Sequence, residues 1–470
     1  MNSPILASMR RRSRVIGLAL AAMAAMGHSH AQSTEVPAAP QRTQVVIRHA
    51  RVHACTPGHT PIADGYVLFD GGKVTAVGAE PIPEGAVSEG AHVIDAGGMV
   101  LTPGLWAGAS TLGLVETLQV AATDDRTEHG AFHPEATAAT AVNPDSDLPP
   151  VARNAGILSV HAFPQGGVVS GRASAMRLDG WTAPERCIRA GAGVVLAWPM
   201  MEPVRARWSS TTPEEQRKKR DEQLAAIDRF FDDAAAYIRA SDADPDLGTD
   251  ARFEAMRDVL AGRERVLVDA NWPGQIEAAV LWGARRGLKV AIVGGLGAPE
   301  VAELLRRHDV PVVVNGINRL PLREGDPVDA AYTVPARLHA AGVVCSIASG
   351  DEPAHERSLP AQCGRAVAHG LPHGAALESV TRVAAEIAGC GETLGTIEPG
   401  KSATVVLWSG DPFEVVTSVK RAWIDGAEVD LNDRQRRMRA KYMEKELQRR
   451  PAEPDAGPPE AGQAPADSAP

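Results

Sequence analysis

Five polar side chains that can transfer protons or bind a ligand stand at the ends of short apolar runs. His161 closes the run "ILSVH", Asp269 and Asn271 follow "RVLV", and Asp351 and His355 follow "GVVCSIASG". Carboxylates and imidazoles at such positions suit general acid and base catalysis or metal binding. The spacing of Asp351 and His355 suits one face of a helix. Two interpretations stay open. Either Asp351, His355, His161 and Asp269 form one improvised site, or they are separate loop and surface residues, with Asp351 as a helix cap.

Arg172 lies in a glycine-rich stretch, "HAFPQGGVVSGRASAMRLDGW". A guanidinium behind a Ser-Gly turn suits bidentate binding of an anion or a carboxylate. The same pattern also fits a β-hairpin that covers a site without contacting a ligand. Arg172 is therefore a candidate substrate-binding residue with a structural alternative.

The elements that must position these residues occupy the middle of the chain, residues 104–391. Short apolar runs such as "RVLVDAN", "LKVAIVGG" and "VPVVVNG" alternate there with helical patterns. Apolar strands that alternate with helices predict a parallel sheet covered by helices, and this length suits an α/β, TIM-like (β/α)8 barrel. The long insertion that begins at Thr212 carries a capping box with Glu215 and predicts an amphipathic helix.

Two β-rich segments, residues 44–103 and 392–431, flank the predicted barrel. The first holds Asp70-Gly71-Gly72 between two apolar arms, and the second holds Asp425-Gly426; both are hairpin signals. Matching β segments on either side of a long middle predict a small β-sandwich built from both chain ends.

Three stretches carry a family resemblance: "VIDAGGMVLTPG", "LGTIEPGKSATVVLW" and "GDPFEVVTSVKRAWIDG". Over about residues 45–430 the chain resembles the amidohydrolase superfamily, in particular its imidazolonepropionase-like members. The resemblance implies a metal-dependent barrel that hydrolyses non-peptide carbon–nitrogen bonds in cyclic or linear amides. It also implies that metal ligands stand at the carboxyl ends of the barrel strands.

Most of the positions that the resemblance assigns to metal ligands carry other residues here. Ala109 and Thr111 replace the paired histidines after the first strand, Asp269 stands at the fifth-strand position, and Gly294 at the sixth. Asp351 matches the last-strand aspartate, so the resemblance implies that it is the general base. We predict no metal, with zinc bound only if other residues rebuild the site. Two functions stay open: a hydrolase with a degenerate metal site, or a pseudoenzyme that binds a small molecule or a protein partner.

The start of the chain predicts export. "MRRRSR" followed by "VIGLALAAMAAMG" is typical of a signal peptide over residues 1–31, which indicates a periplasmic or otherwise exported protein. We expect a linker over 32–43, a charged helix over 432–450 and a disordered tail over 451–470.

With 48 basic and 58 acidic residues, a net charge of −10 argues against nucleic-acid binding. The expected partner is a small molecule, with no membrane contact after signal cleavage, and the oligomeric state stays open.

Overall fold

A computed structural model describes most of the chain. The described residues are 35–58, 60–203, 211–350 and 352–449. The predicted signal peptide, the predicted tail and the candidate base Asp351 lie outside them.

Eighteen strands are described, and they are numbered here in chain order. They are β1 Val45–Val52, β2 Ile62–Asp70, β3 Lys73–Ala79, β4 His92–Asp95, β5 Val100–Pro103, β6 Leu105–Ser110, β7 Ile157–Ala162, β8 Val169–Arg172, β9 Ser174–Arg177, β10 Cys187–Arg189, β11 Val194–Ala197, β12 Val266–Ala270, β13 Val290–Gly294, β14 Val312–Asn315, β15 Cys345–Ala348, β16 Val405–Trp408, β17 Val419–Ile424 and β18 Ala427–Glu428.

The helices are numbered in the same way. They are α1 Ala138–Ala141, α2 Leu148–Arg153, α3 Ala183–Arg186, α4 Pro213–Ala243, α5 Ala251–Glu254, α6 Arg257–Leu260, α7 Pro273–Arg286, α8 Ala302–Arg307, α9 Ala330–Ala340, α10 Leu359–Ala368, α11 His373–Ser379, α12 Arg382–Ile387 and α13 Arg434–Arg449, with 3-10 turns at Ala121–Thr123, Ala298–Val301 and Pro353–Ser358. Within the described stretches, no helix combines the length and the hydropathy that crossing a membrane requires.

Both flanking segments contribute to one eight-stranded sheet. Its order is β18-β17-β16-β5-β1-β2-β3, with β4 also paired to β1. The ends of the chain meet where β5 pairs antiparallel with β16, and Trp408 Nε1 donates a hydrogen bond of 2.9 Å to Thr102 Oγ1 there. The hairpins expected at Asp70 and Asp425 are the β2–β3 and β17–β18 turns. Hydrogen bonding links all eight strands into a single sheet, and the β-sandwich arrangement of its layers stays a prediction.

The middle of the chain forms two further sheets. One has the order β15-β14-β13-β12-β11-β8, with β11 to β15 parallel, and the other has the order β10-β9-β7-β6. Among the described residues no ladder joins β15 to β6, so hydrogen bonds do not close a barrel there. The two strands are nevertheless in contact, because a Cβ on Gly108 would lie 3.7 Å from the Ala348 Cβ.

The chain from Val169 to Arg177 connects these two sheets and runs against the direction of its neighbours. Its first half, β8, pairs antiparallel with β11, and its second half, β9, pairs antiparallel with β7. In spatial order it takes the third position around the ring, where a regular (β/α)8 barrel has a parallel strand. The central region is therefore a barrel-like ring with one reversed strand.

Apolar side chains pack on both faces of the strands of this ring, in one layer inside it and in a second layer between the strands and the helices. Inward-facing residues on and next to the strands form an inner cluster together with Val383 and Ile387 of α12. Its members are Ala109, Phe163, Ala173, Val195, Leu267, Ala291, Val293, Val313, Ala348, Val383 and Ile387. The other strand faces pack against the surrounding helices. One of these is α4, which begins with the predicted capping box: Thr212 Oγ1 accepts from the Glu215 backbone N at 3.2 Å, and Glu215 Oε2 accepts from the Thr212 backbone N at 2.8 Å.

The segment 35–43, which was expected to be a linker, lies against both folded regions. The Gln41 side chain donates to the Phe69 carbonyl and accepts from the Gly72 backbone N, each at 2.9 Å. At its other end, Glu35 forms an ion pair with the fully buried Arg153. Because it bonds to the eight-stranded sheet and to the barrel, this segment holds the two together.

Arg153 has further partners at that point. Its Nη1 donates to the Leu178 carbonyl at 2.7 Å and to Asp179 Oδ1 at 3.1 Å, and its Nη2 donates to the Asp430 carbonyl at 3.3 Å. Burial lowers the pKa of the Arg153 guanidinium to about 10, and the charge of Asp179 opposes this shift. We call Arg153, Glu35, Asp179 and Asp430 the Arg153 junction.

Candidate functional site

The carboxyl ends of the parallel strands carry two polar side chains directly above the inner cluster. Leu267 and Val313 belong to that cluster, so Asp269 and Asn315, two residues further along β12 and β14, share the inward face. Parallel strands place their carboxyl ends at one side of a sheet, where α/β proteins hold their ligands. We call this side the barrel mouth.

Asp269 is the acidic group of the barrel mouth. Water reaches its side chain, which is exposed, while protein surrounds the carboxyl group on its other sides. This burial raises the pKa of Asp269 above its usual value, and the positive charge of Arg319 opposes the shift. A carboxyl group with a raised pKa is suited to take and return a proton near neutral pH.

Arg319 supplies the positive charge at the barrel mouth. Its side chain folds back over the end of β14, because a Cβ on Gly316 would lie 3.1 Å from the Arg319 Nε. Gly316 in turn is so close to Gly350, which follows β15, that a Cβ on Gly350 would lie 2.5 Å from the Gly316 Cα. This close backbone approach places the Arg319 side chain across the ends of two neighbouring strands.

Asn271 and Gly294 fit tightly against each other at the ends of β12 and β13. A Cβ on Gly294 would lie 2.7 Å from both the Nδ2 and the Oδ1 of Asn271, and Gly294 has a φ of +105°. Both the left-handed backbone and the lack of space restrict this position to glycine. The Asn271 carboxamide therefore fills the space beside the position at which the resemblance implies a histidine ligand.

The two positions after the first strand at which the resemblance implies histidine ligands, Ala109 and Thr111, carry no imidazole, thiol or carboxylate. Ala109 has a φ of +50° and contributes to the inner cluster, and Thr111 is buried. Between them, Ser110 Oγ donates a hydrogen bond of 2.6 Å to Glu356 Oε1, which draws Ser110 toward the 3-10 turn after β15. The described residues contain no group of three or more His, Cys, Asp or Glu side chains able to hold a metal. The described residues at these positions do not fit the metal that the resemblance implies, and the expectation of no metal stays a prediction.

His161 is the candidate that lies deepest in the protein. Only 3% of it is exposed, and its Nε2 lies 3.1 Å from the Ala192 carbonyl oxygen, before β11 begins. Burial lowers the pKa of His161 to about 4, so the ring is neutral near pH 7. No described contact links it to Asp269, and its role as a substrate ligand stays a prediction.

Arg172 lies near the opposite end of the ring from Asp269. It pairs with Val194, the first residue of β11, and its Nη2 donates to Thr137 Oγ1 at 3.0 Å. The charge of Arg172 also acts on Glu264, which lies just before β12. The structure does not bring Arg172 together with Asp269, because the strand that carries Arg172 is reversed.

His355 lies in the 3-10 turn Pro353–Ser358 and is exposed. Its predicted partner Asp351 is outside the described residues, so the pairing of the two stays a prediction. Of the four members of the improvised site, Asp269 lies at the barrel mouth, His355 lies in the turn that follows β15, and His161 is buried, so their convergence stays a prediction.

Sequence reasoning did not select Asn315 and Arg319. The signal for Asn315 was present, because "VPVVVNG" ends in a polar residue in the same way as "RVLVDAN". Arg319 lies in the following loop, where strand periodicity gives no information about side-chain direction.

Comparisons with known proteins give the fold. An amidohydrolase from Thermotoga maritima MSB8 superposes with a TM-score of 0.71 at 24% identity, over 82% of this chain and 99% of that one. A molinate hydrolase superposes with a TM-score of 0.50 at 14% identity, over 84% of this chain and 96% of that one. The chain thus has the mixed α/β fold of amidohydrolase TIM-barrel proteins.

Sequence comparison reaches less far. No family model matches the chain. One curated protein, "Amidohydrolase tasK" of Hapsidospora irregularis, is 45% identical over 58 residues, which is 12% of this chain and 6% of that protein. The chain therefore matches only a small fraction of the length of this relative.

Proposed function

We propose that this chain is a hydrolase of the amidohydrolase superfamily, of the imidazolonepropionase-like kind, that cleaves non-peptide carbon–nitrogen bonds in small amides without a bound metal. The observation that carries the proposal is Asp269: its carboxyl is open to water, has a raised pKa and stands at the strand ends. The fold shared with the Thermotoga maritima amidohydrolase supports a hydrolase of this superfamily.

In this proposal Asp269 carries both proton transfers of an acid–base hydrolysis. The Asp269 carboxylate takes a proton from a water molecule as the water oxygen attacks the amide carbon. When the carbon–nitrogen bond breaks, Asp269 returns that proton to the departing nitrogen. Arg319 stabilises the negative charge that develops on the amide oxygen. Asp351, which the resemblance makes the general base, is the alternative carboxylate for the first step.

The test is release of ammonia or amine from a panel of small linear and cyclic amides, with a chelator present throughout. We expect Asp269→Asn to lower kcat/KM by about a hundredfold or more, the usual contribution of a positioned general base. Asp233→Asn on the exposed side of α4 is the matched control and is expected to leave kcat/KM unchanged. Activity that disappears with the chelator, or that Asp269→Asn leaves intact, contradicts the proposal.

A second function, a pseudoenzyme that binds a small molecule or a protein partner without turnover, is favoured by one observation. The carboxamide of Asn271 packs against Gly294, so the sixth-strand ligand position is closed. The same amide panel separates the two functions: ligands that raise the melting temperature and are never cleaved favour the pseudoenzyme.

We also propose that the protein is exported, with residues 1–31 as a cleaved signal peptide. The basic start and the apolar run of thirteen residues support this proposal. Expression of the full chain followed by fractionation tests it: the processed form is expected in the periplasmic fraction, and an unprocessed chain in the cytosol contradicts export.

A further inference from the structure

A pocket lies at the amino ends of the parallel strands, on the opposite side of the ring from the barrel mouth. Arg265 directly precedes β12, residues 309–311 precede β14 and residues 342–344 precede β15, and all of them line the pocket. The Val312 backbone N donates to the Val344 carbonyl at 3.0 Å, which holds the starts of β14 and β15 side by side. The pocket has a volume of about 210 Å³.

Helix α12 covers this end of the ring and forms one wall of the pocket. Its Val383 and Ile387 side chains belong to the inner cluster, and Ile387 also lines the pocket. The other buried apolar residues of the lining are Leu305, Val310 and Val343. A cavity of about 150 Å³ holds one benzene ring, so this pocket has room for a ring with one polar group.

Arg265 is half-buried at this pocket and has no counterion. In the described part of the chain its guanidinium forms no hydrogen bond and no ion pair. Burial lowers the pKa of Arg265, and no carboxylate among the described residues acts against this shift. A charge that is taken from water without a partner is unfavourable, so an anion that enters the pocket gains a partner that the protein does not supply.

Arg306 adds a second cation at the rim of the pocket. It is exposed near the end of α8, and a Cβ on Gly342 would lie 3.6 Å from its Cδ, which places its side chain beside the start of β15. Its guanidinium also has no hydrogen bond and no ion pair within the described residues. The two arginines therefore present two unpaired positive charges to the same pocket.

Two carboxylates line the pocket as well, and neither neutralises Arg265. Glu386 forms an ion pair with Arg382 at 3.0 Å, and Asp309 is exposed, so water screens its charge. Neither of them acts on the pKa of Arg265. Unpaired guanidinium groups beside apolar walls match an organic anion better than a hydrated inorganic one.

We propose that this pocket at the amino ends of the strands binds a small aromatic or aliphatic carboxylate. Arg265 donates two parallel hydrogen bonds to the carboxylate, the geometry in which arginine binds this group best. The apolar body of the ligand packs against Leu305, Val343 and Ile387, with Arg306 at the entrance. The site is separate from the barrel mouth and does not depend on the proposed hydrolase activity.

Calorimetric titration of the full chain with three probes tests this site. They are benzoate, benzyl alcohol, which keeps the ring without the charge, and inorganic phosphate, which keeps the charge without the ring. We expect benzoate to bind at least about tenfold more tightly than either of the others. Arg265→Met should weaken benzoate binding by about tenfold or more, because the charge-assisted pair is lost, and Arg265→Lys should retain part of it. Arg229→Met on α4 is the matched control with wild-type affinity.

Thermal unfolding separates a ligand-binding role of Arg265 from a structural one. An unpaired guanidinium forms no bond in the folded state, so ligand-free Arg265→Met is expected to keep the wild-type melting temperature. Added benzoate should raise the melting temperature of the wild type and not that of Arg265→Met. A melting temperature that falls strongly in ligand-free Arg265→Met would show that Arg265 is a structural cation and would overturn the site.

Arg319→Met shows at which end of the ring the anion binds. Unchanged benzoate affinity in this variant supports the pocket at the amino ends, whereas its loss, with Arg265→Met unaffected, would place benzoate at the barrel mouth and overturn the inference. Equal affinity for benzoate and benzyl alcohol, tighter binding of phosphate, or no binding of benzoate also contradicts it. Each of these results can occur with or without amide turnover, so the proposed hydrolase stands or fails separately.

Discussion

The barrel mouth and the Arg153 junction both bring arginine and carboxyl groups together, but they use them in opposite ways. At the junction, Arg153 is fully buried and its two terminal nitrogens bond to Asp179, to Glu35 and to two backbone carbonyls. At the mouth, Arg319 and Asp269 face water and do not reach each other.

This difference separates stabilisation from binding. Charges removed from water must be paired, and breaking such a pair is strongly destabilising. Charges that are held close without pairing add little to stability and remain able to bind a ligand. The following predictions test that division, from the largest expected effect to the smallest.

Removing the cation of the junction should be the most damaging change. Arg153→Met leaves Asp179 and Glu35 without their buried partner, so we expect the free energy of unfolding to fall by about 3–5 kcal/mol in urea titrations. Arg229→Met, at an exposed position on α4, is expected to change it very little. A loss at Arg153 as small as the one at Arg229 would show that the junction is not a stabilising centre.

Gly294→Ala should destabilise the mouth by about 2 kcal/mol, because a Cβ there meets Asn271 and the backbone is left-handed. In an Asn271→Ala background the steric part should disappear and the cost should fall. Gly400→Ala is the control for backbone strain alone, since Gly400 has a φ of +90° and open space around it. An equal cost of Gly294→Ala in both backgrounds would exclude the contact with Asn271 as its cause.

The raised pKa of Asp269 predicts a pH dependence with a defined sign. Its protonated form is favoured in the folded state, so the contribution to stability is present below the ordinary carboxyl pKa of about 3.9 and is lost as pH rises through the folded pKa. Relative to Asp269→Asn, the wild type should therefore lose stability as pH rises from about 4. The loss should be about 1 kcal/mol or less, because water screens the exposed carboxyl.

Urea unfolding of both variants at a series of pH values measures this effect. Arg319→Met should shift the loss to higher pH, because Arg319 opposes the raised pKa. Parallel pH profiles for wild type and Asp269→Asn would contradict the assignment.

The smallest expected effect is that of a chelator. Ala109 and Gly294 offer no side-chain donor, so dialysis against a chelator should leave the melting temperature unchanged and the metal content well below one ion per chain. A bound metal stabilises the folded state by mass action. Stoichiometric zinc whose removal lowers the melting temperature would show that the mouth is built from other ligands.

The sequence predicts the local features of this fold. Strand ends such as Asp269 and Gly294, the hairpins at Asp70 and Asp425 and the capping box of α4 all follow from short patterns. Each depends on residues only a few positions apart, and periodicity and turn chemistry report on that range.

The features that the sequence does not predict depend on contacts between residues that are distant along the chain. The segment before β1 reads as a linker because its bonds from Gln41 and Glu35 go to remote partners. The contact of Asn271 with Gly294 requires the register of β12 against β13. The sequence groups His161 with Asp269 because both residues end a strand. The end of a strand does not fix the direction in which the side chain points, so His161 can be buried while Asp269 reaches water.

The reversed strand changes which loops a designer should vary to alter ligand preference. In a regular barrel, every loop that follows a strand borders the ligand. Here the third strand runs the other way, and Val168 and Val169 lie beside the carboxyl end of β11. The connection before this strand, residues 163–168, therefore borders the barrel mouth, whereas the one after it does not. Directed libraries at the third position should be placed upstream of the strand.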